Sequence, residues 1–193
     1  MMRMNSEKNF SKRKKEQFEI LIGMKYFNKE PKIQGQDTIV IDAPVSKLWP
    51  LIHDSMQMES WGPPVEKVEI DLLPDQVTEN VGSRRKVYAK FSAKRKGWYE
   101  EVRTGQEEGI SITFRILNDS FGMGKMLDDV GGKMELEQVT NDKTKFIFTF
   151  YHRPINLLGR MMNPMIKMDQ RKNRLKALNS IKSYVETGKA IKN

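Results

Sequence analysis

Three side chains in this sequence are candidates for chemistry together: Arg85, Glu100 and His152. In "VGSRRKVYAKF" apolar residues alternate, and by parity Arg85 shares a face with Val87 and Ala89. In "GWYEEVRT" the same count puts Glu100 on a face with Trp98 and Val102. Isolated charges on a buried face are costly, so the two are expected to pair or to meet a polar ligand group. Such a pair could orient a carboxylate, hydroxyl or carbonyl. The competing reading is a misassigned face or a sheet edge open to solvent, since a one-residue bulge reverses parity. His152 ends "TKFIFTFYH" on the face of Phe146, Phe148 and Phe150 and could act as an acid or base near neutral pH. A lone histidine is more often a packing or capping residue. His53 ends a short helix and suits the helix C-terminus.

Other chemistries are closed off by residue types. There is no cysteine, so disulfides, thiolate metal sites and a cysteine nucleophile are excluded. Two histidines in the whole chain leave no multi-histidine zinc site. Gly122 and Gly124 in "GMG" are not followed by the lysine and hydroxyl of a phosphate loop. No serine, histidine and acid arrangement can be read from spacing. Neither a metal nor a cofactor is expected. The formal charge of +9 concentrates in "KRKK" and "KMDQRKNRLK", with no nucleic-acid-binding motif beside it. Solvated basic faces are the favoured reading, and no specific nucleic acid is expected.

The elements that must position these residues follow from periodicity. Residues 1–36 read as a basic N-terminal extension, partly helical or flexible, with Phe18, Leu21 and Ile22 on one helical face. Such a segment could make weak contact with an anionic membrane, dock on the main domain, or fray. It lacks a long apolar core and a small-residue cleavage site, so it is not read as a secretory signal, and cytoplasmic residence is expected. From Asp37, "DTIVIDA" reads as a strand. Asp42 or Ala43 can cap a helix starting at Pro44, and Pro50 should kink or shorten it. Six alternating runs follow, from "VEKVEIDLL" to "TKFIFTFYH", which implies an antiparallel sheet with one wet and one buried face. In "GISITFRIL", Ile110, Ile112, Phe114 and Ile116 point inward and Arg115 outward. A final helix from about Ile155 to Glu186 carries Leu158, Met161, Met162, Met165, Leu175, Leu178, Ile181 and Val185 at helical spacing. Its length of about 45 Å lets it cross a whole sheet.

In an antiparallel meander, alternate connections share one end of the sheet. Residues 55–64, 92–96, 118–132 and 153–165 therefore meet, and they hold Met56, Met58, Met123, Met126, Met161, Met162 and Met165. Methionine is flexible and suits an adaptable apolar mouth, although core filling is an equal alternative. Trp49 is expected on the buried face of the first helix. Trp61 is expected at the mouth, as a structural plug or a ligand contact. The residues expected to line a site are thus Trp61, Arg85, Trp98, Glu100, Phe114, Met123, Met126, Phe148, Phe150, His152, Met161 and Met165.

A strand followed by "DAPVSKLWPLIHD", "MESWGPPVEKVEI" and "VGSRRKVYAK" resembles the SRPBCC superfamily, whose members include START lipid-transfer domains and the birch-pollen allergen group. The closest likeness is to its polyketide cyclase/dehydrase and lipid-transport branch. The likeness runs from about residue 37 to the closing "ALNSIKSYVETGK". It implies an α+β helix-grip fold over residues 37–193: a curved seven-stranded antiparallel sheet wrapped round a long C-terminal helix, with two short helices after the first strand. Two features depart from the pattern, Pro50 in the first helix and the long hairpin of residues 118–132. The resemblance also implies a cavity for an apolar small molecule, without implying catalysis.

Three functions stay open. The first is a non-enzymatic carrier or binder of a lipid-like or polycyclic molecule. The second is a cyclase, dehydratase or hydrolase using Arg85, Glu100 and His152. The third is an adaptor at an anionic membrane surface through the basic ends.

Overall fold

The computed structural model describes residues 31–191. The predicted helical face of Phe18, Leu21 and Ile22 lies outside the described residues. Seven strands form one antiparallel sheet in the order β1-β7-β6-β5-β4-β3-β2. They are β1 (Ile33–Ile41), β2 (Val65–Asp71), β3 (Arg84–Ser92), β4 (Arg95–Glu107), β5 (Ser111–Asp119), β6 (Leu127–Thr140) and β7 (Lys143–Pro154). Between β1 and β2 lie α1 (Val45–His53), a 3-10 turn (Ser55–Gln57) and α2 (Met58–Trp61). The chain ends in α3 (Leu157–Thr187). This is the expected helix-grip α+β architecture.

β1 starts at Ile33, ahead of the Asp37 at which the alternation becomes visible, and Ile33, Gly35 and Gln36 pair with β7 around an irregularity at Gln34. "IQGQ" reads as linker because of its glycine, yet Gly35 has a packing reason. A Cβ there would sit 2.6 Å from Nη2 of Arg174 on α3. Arg174 and Arg171 reach Asp37 on the same strand, at 2.7 Å and 3.3 Å. These contacts fasten the helix across the edge of the sheet.

α1 starts at Val45 with Pro44 at its N-cap, one residue later than expected. Pro50 lies inside it, and its carbonyl accepts the Asp54 N–H that closes the helix. Asp54 then caps the 3-10 turn by accepting from the Met56 N–H at 3.0 Å. Leu48, Trp49 and Ile52 of α1 join Ile41, Ile112, Leu136, Phe146, Leu178 and Ile181 in the core. Each of these large side chains contributes roughly 1.5–3 kcal/mol through burial. As expected, Trp49 is buried, and its indole N–H donates to Glu108 at 2.7 Å.

α3 departs from its expected single stripe. Leu178, Ile181 and Val185 are buried, whereas Leu158, Met161, Met165 and Leu175 are exposed. Three-residue steps lag a helix turning about 100° per residue, so an apolar pattern built on them winds round the rod. Met161 and Ile181, twenty residues apart, consequently lie on nearly opposite sides. Only the second half of α3 packs its apolar stripe into the core.

Candidate functional site

Between the sheet and the middle of α3 lies a cavity of about 410 Å³. β5, β6 and β7 give it Phe114, Ile116, Met134, Phe148 and Phe150, which project inward by strand alternation. Met58, Trp61 and Val65 close it on the side of the short helices, and Ile166 and Ala177 on the side of α3. Phe121, Met123 and Met126 of the β5–β6 turn line it and are partly exposed, as residues at a mouth would be. Gly131 and Gly132 on β6 let the neighbouring strand and rings approach. A Cβ on Gly131 would collide with the Phe114 carbonyl, and one on Gly132 would sit 2.9 Å from the Phe114 ring.

Trp61 is both plug and wall. It is buried, its indole N–H donates to the Leu51 carbonyl at 2.8 Å, and its own carbonyl accepts from Ser180 on α3 at 2.7 Å.

One end of the cavity is ionic. Arg85 faces inward as expected, but its partner is Glu101, with Nε donating to Oε2 at 2.6 Å. Arg85 also donates to the Ser55 hydroxyl, which in turn donates to Glu79 at 2.6 Å. Glu79 accepts from Arg103 at 3.1 Å, and Arg103 donates to the His53 carbonyl at 2.7 Å. All five side chains of this chain of contacts are buried. Two arginines face two glutamates, so the cluster is neutral. Burial pushes the Glu101 carboxyl upward against the opposing pull of Arg85. Burial works to lower Arg85, but Glu101 and Glu79 outweigh it and hold it raised. Tyr99, two residues from Glu101 on the same face, lines the cavity, and burial raises its phenol.

Glu100 and Trp98 point the other way. Lys86 lies opposite Glu100 in the register, 3.9 Å from its carboxylate, and covers the Trp98 ring at 4.1 Å. The inward parity of β4 therefore belongs to Tyr99, Glu101 and Arg103. The alternation was blurred because Glu101, Val102 and Arg103 are all buried. A register irregularity against β5 also falls between Glu100 and Glu101. Arg115 points outward but is not wet: it is buried against Asp129 at 2.9 Å, under the Tyr151 ring.

His152 is fully buried, but it stands behind the cavity wall. Its Nε2 meets Asn163 Oδ1 of α3 at 2.6 Å, and burial lowers its pKa. It ties β7 to α3. Met161 and Met165 face outward from α3 and do not line the cavity. Of the residues expected at a site, the cavity brings together Trp61, Arg85, Phe114, Met123, Met126, Phe148 and Phe150.

The polar wall contributed by α3 was missed: Asp169, Gln170, Asn173 and Arg174. These residues lie between the two apolar stripes of the helix, in the polar stretch "KMDQRKNR", which reads as a solvated face. Every charged side chain lining the cavity has a partner. Arg85 holds Glu101, Arg174 holds Asp37 at 2.7 Å, and Arg95 holds Asp169 at 2.8 Å. Arg95 also lies over the rings of Phe91 and Phe121 at the mouth. Among the described residues no group of three or more histidine and acidic side chains is gathered for a metal ion.

A long helix gripped by a curved sheet, with an apolar cavity and one ionic end between them, defines a helix-grip cavity protein. The chain belongs to the polyketide cyclase/dehydrase and lipid transport family, whose sequence pattern matches residues 32–186. No curated protein matches the chain. Solved structures share the fold at low identity. The Zhui aromatase/cyclase from Streptomyces sp. R1128 superposes with a TM-score of 0.60 at 16% identity, covering 84% of this chain and 100% of that one. A START superfamily protein from Mycobacterium smegmatis gives 0.60 at 12% identity, covering 79% and 96%. Truncated norcoclaurine synthase from Thalictrum flavum gives 0.60 at 10% identity, covering 82% and 95%. At these identities the likeness is one of fold.

Proposed function

We propose that the protein binds and carries an uncharged hydrophobic small molecule, its apolar body among the phenylalanines and methionines and one hydroxyl or carbonyl at the Arg85–Glu101–Tyr99 end. The observation that carries this reading is the apolar cavity of about 410 Å³ whose lining charges are all paired within the protein. A pocket of this size and lining suits a drug-sized apolar ligand. A charged ligand would have to break one of those pairs or be buried without a counter-ion, and both are costly. Carriage is favoured over turnover because the acid and base candidates do not meet: Glu100 faces away and His152 is engaged by Asn163. A second reading, turnover of a bound molecule, draws support from the place of Glu101 in the cavity wall, where burial pushes its carboxyl upward.

Native mass spectrometry of protein purified from its own host tests the reading, beside titration with an environment-sensitive apolar dye. One retained apolar compound per chain is expected, with dye binding stoichiometric and competitive with it. Ala177→Phe, which puts a ring into the cavity from α3, should abolish both. Dye binding that survives Ala177→Phe would refute the cavity as the site. A retained compound released in chemically altered form would decide for turnover.

A further inference from the structure

The first half of α3 carries an apolar face that no described residue covers. Leu157, Leu158, Met161, Met165 and Met168 are exposed by between 52% and 74%. At about 100° per residue the five fall within an arc of about 100°, while the cavity-lining Ile166, Gln170, Asn173 and Ala177 lie on the far side. The stripe is about 16 Å long. A contiguous apolar patch of this kind marks an interaction surface.

Charge identifies what it meets. Arg160, Lys167 and Lys172 are exposed on the same half of the helix, and Lys125 is exposed on the adjoining turn. From Leu157 to Lys176 the sequence has one acidic residue, Asp169, and Arg95 already holds it at 2.8 Å. The face is therefore apolar and cationic. A second copy of the chain would set these cations against each other, as an isologous contact requires. Residues 1–30 also hold more lysine and arginine than acid, so they are like-charged. An anionic surface with an apolar interior fits both features.

We propose that this face of α3 docks in the plane of an anionic lipid bilayer, with the Leu157–Met168 stripe at the headgroup–acyl boundary and the cations at lipid phosphates. Amphipathic helices bind lipid surfaces by this combination. The cavity mouth is tied to the same face. The Met126 carbonyl accepts the Ile155 N–H at 3.0 Å, and Asn156 Nδ2 donates to the Lys125 carbonyl at 2.8 Å. Docking thus brings Met123 and Met126 to the lipid. Exchange of cargo with the bilayer rests on the cavity reading above; docking itself does not.

The absence of cysteine makes the test clean. Met161→Cys, Met168→Cys and, as a control at the β6–β7 turn, Asn141→Cys are each labelled with an environment-sensitive fluorophore in the full chain. Vesicles of phosphatidylcholine with and without phosphatidylglycerol are added. The two stripe labels should shift to the blue and brighten with the anionic vesicles only, and the Asn141 label should not respond. Arg160→Glu and Lys167→Glu should each weaken partitioning at least about fivefold, with unchanged melting. Stripe labels that stay silent, that are already blue-shifted without vesicles, that respond equally to both vesicles, or that respond no more than the Asn141 label would each overturn the proposal. A silent stripe in a protein that still binds the dye within its cavity overturns docking and leaves the cavity reading standing.

Discussion

Replacing Arg85 by methionine removes the cation from a buried pair while keeping much of its apolar volume. Ser55 keeps both its bonds to Glu79, so the loss falls on Glu101. A carboxylate stranded in this way costs about 3–5 kcal/mol. Glu101→Leu strands Arg85 in turn and should cost a similar amount. The double variant replaces the pair by apolar groups, so its cost should be far below the sum of the single costs. The pH dependence adds a second check. Burial already raises the Glu101 carboxyl, and without Arg85 only the weaker pull of Arg103 opposes that rise. The folded Arg85→Met protein then holds this proton more tightly than the unfolded chain does. Its stability is fullest below the unfolded carboxylate pKa of about 4.3 and falls as pH rises through the folded value. Urea unfolding of the four proteins at neutral and mildly acidic pH measures both effects. The Arg85→Met protein should approach the double variant on acidification. Additive costs below about 1 kcal/mol that do not change with pH would refute the reasoning, because a pair worth so little behaves as a surface pair.

Two further outcomes follow from contacts elsewhere in the fold. Burial lowers His152, so the unfolded chain binds its proton more readily; stability present above a pH of about 6.5 should be lost as pH falls, and His152→Gln should flatten that part of a urea-midpoint profile. Gly131→Ala drives a methyl group into the Phe114 carbonyl and Arg115 and should cost about 1–3 kcal/mol by urea unfolding, whereas Gly124→Ala, with open space around it, should stay within about 0.5 kcal/mol.

Strand number and the inward faces of β3, β5 and β7 were legible because each carries apolar residues at period two, although Ile110, expected to point inward, precedes β5 and is exposed. β4 was not. It offers two adjacent glutamates, and residue type cannot say which faces inward. The hairpin register decides it: Arg85 lies directly opposite Glu101, and directly opposed residues share a face. A count from the tight turn at residues 92–95 does not find the pair either, because the register irregularity between Lys90 and Ser92 shifts the pairing by one residue and would set Arg85 against Val102. Glu79 and Ser55 were beyond reach for another reason. They lie on connections without periodicity, and only the folded chain brings them to Arg85. The α3 stripe failed by accumulation, since each short step was helical while the sum carried the pattern round the rod.

The two ion pairs at the cavity differ in what it takes to part them, and this gives the cavity a fixed end and an openable one. Arg85 and Glu101 have side chains 5% and 4% exposed, so parting them strands two charges away from water. Arg95 and Asp169, at 48% and 43%, can exchange each other for solvent at a cost of about 0–1 kcal/mol. Thermal motion is enough to break the second pair and not the first. When it breaks, the rings of Phe91 and Phe121 alone hold Arg95 over this end of the cavity, a weak exposed contact. A ligand would therefore enter past Phe121 and Met123, apolar end last, with its polar group travelling inward to the paired charges. That orientation leaves the apolar end beside the uncovered half of α3, where a lipid surface would receive it.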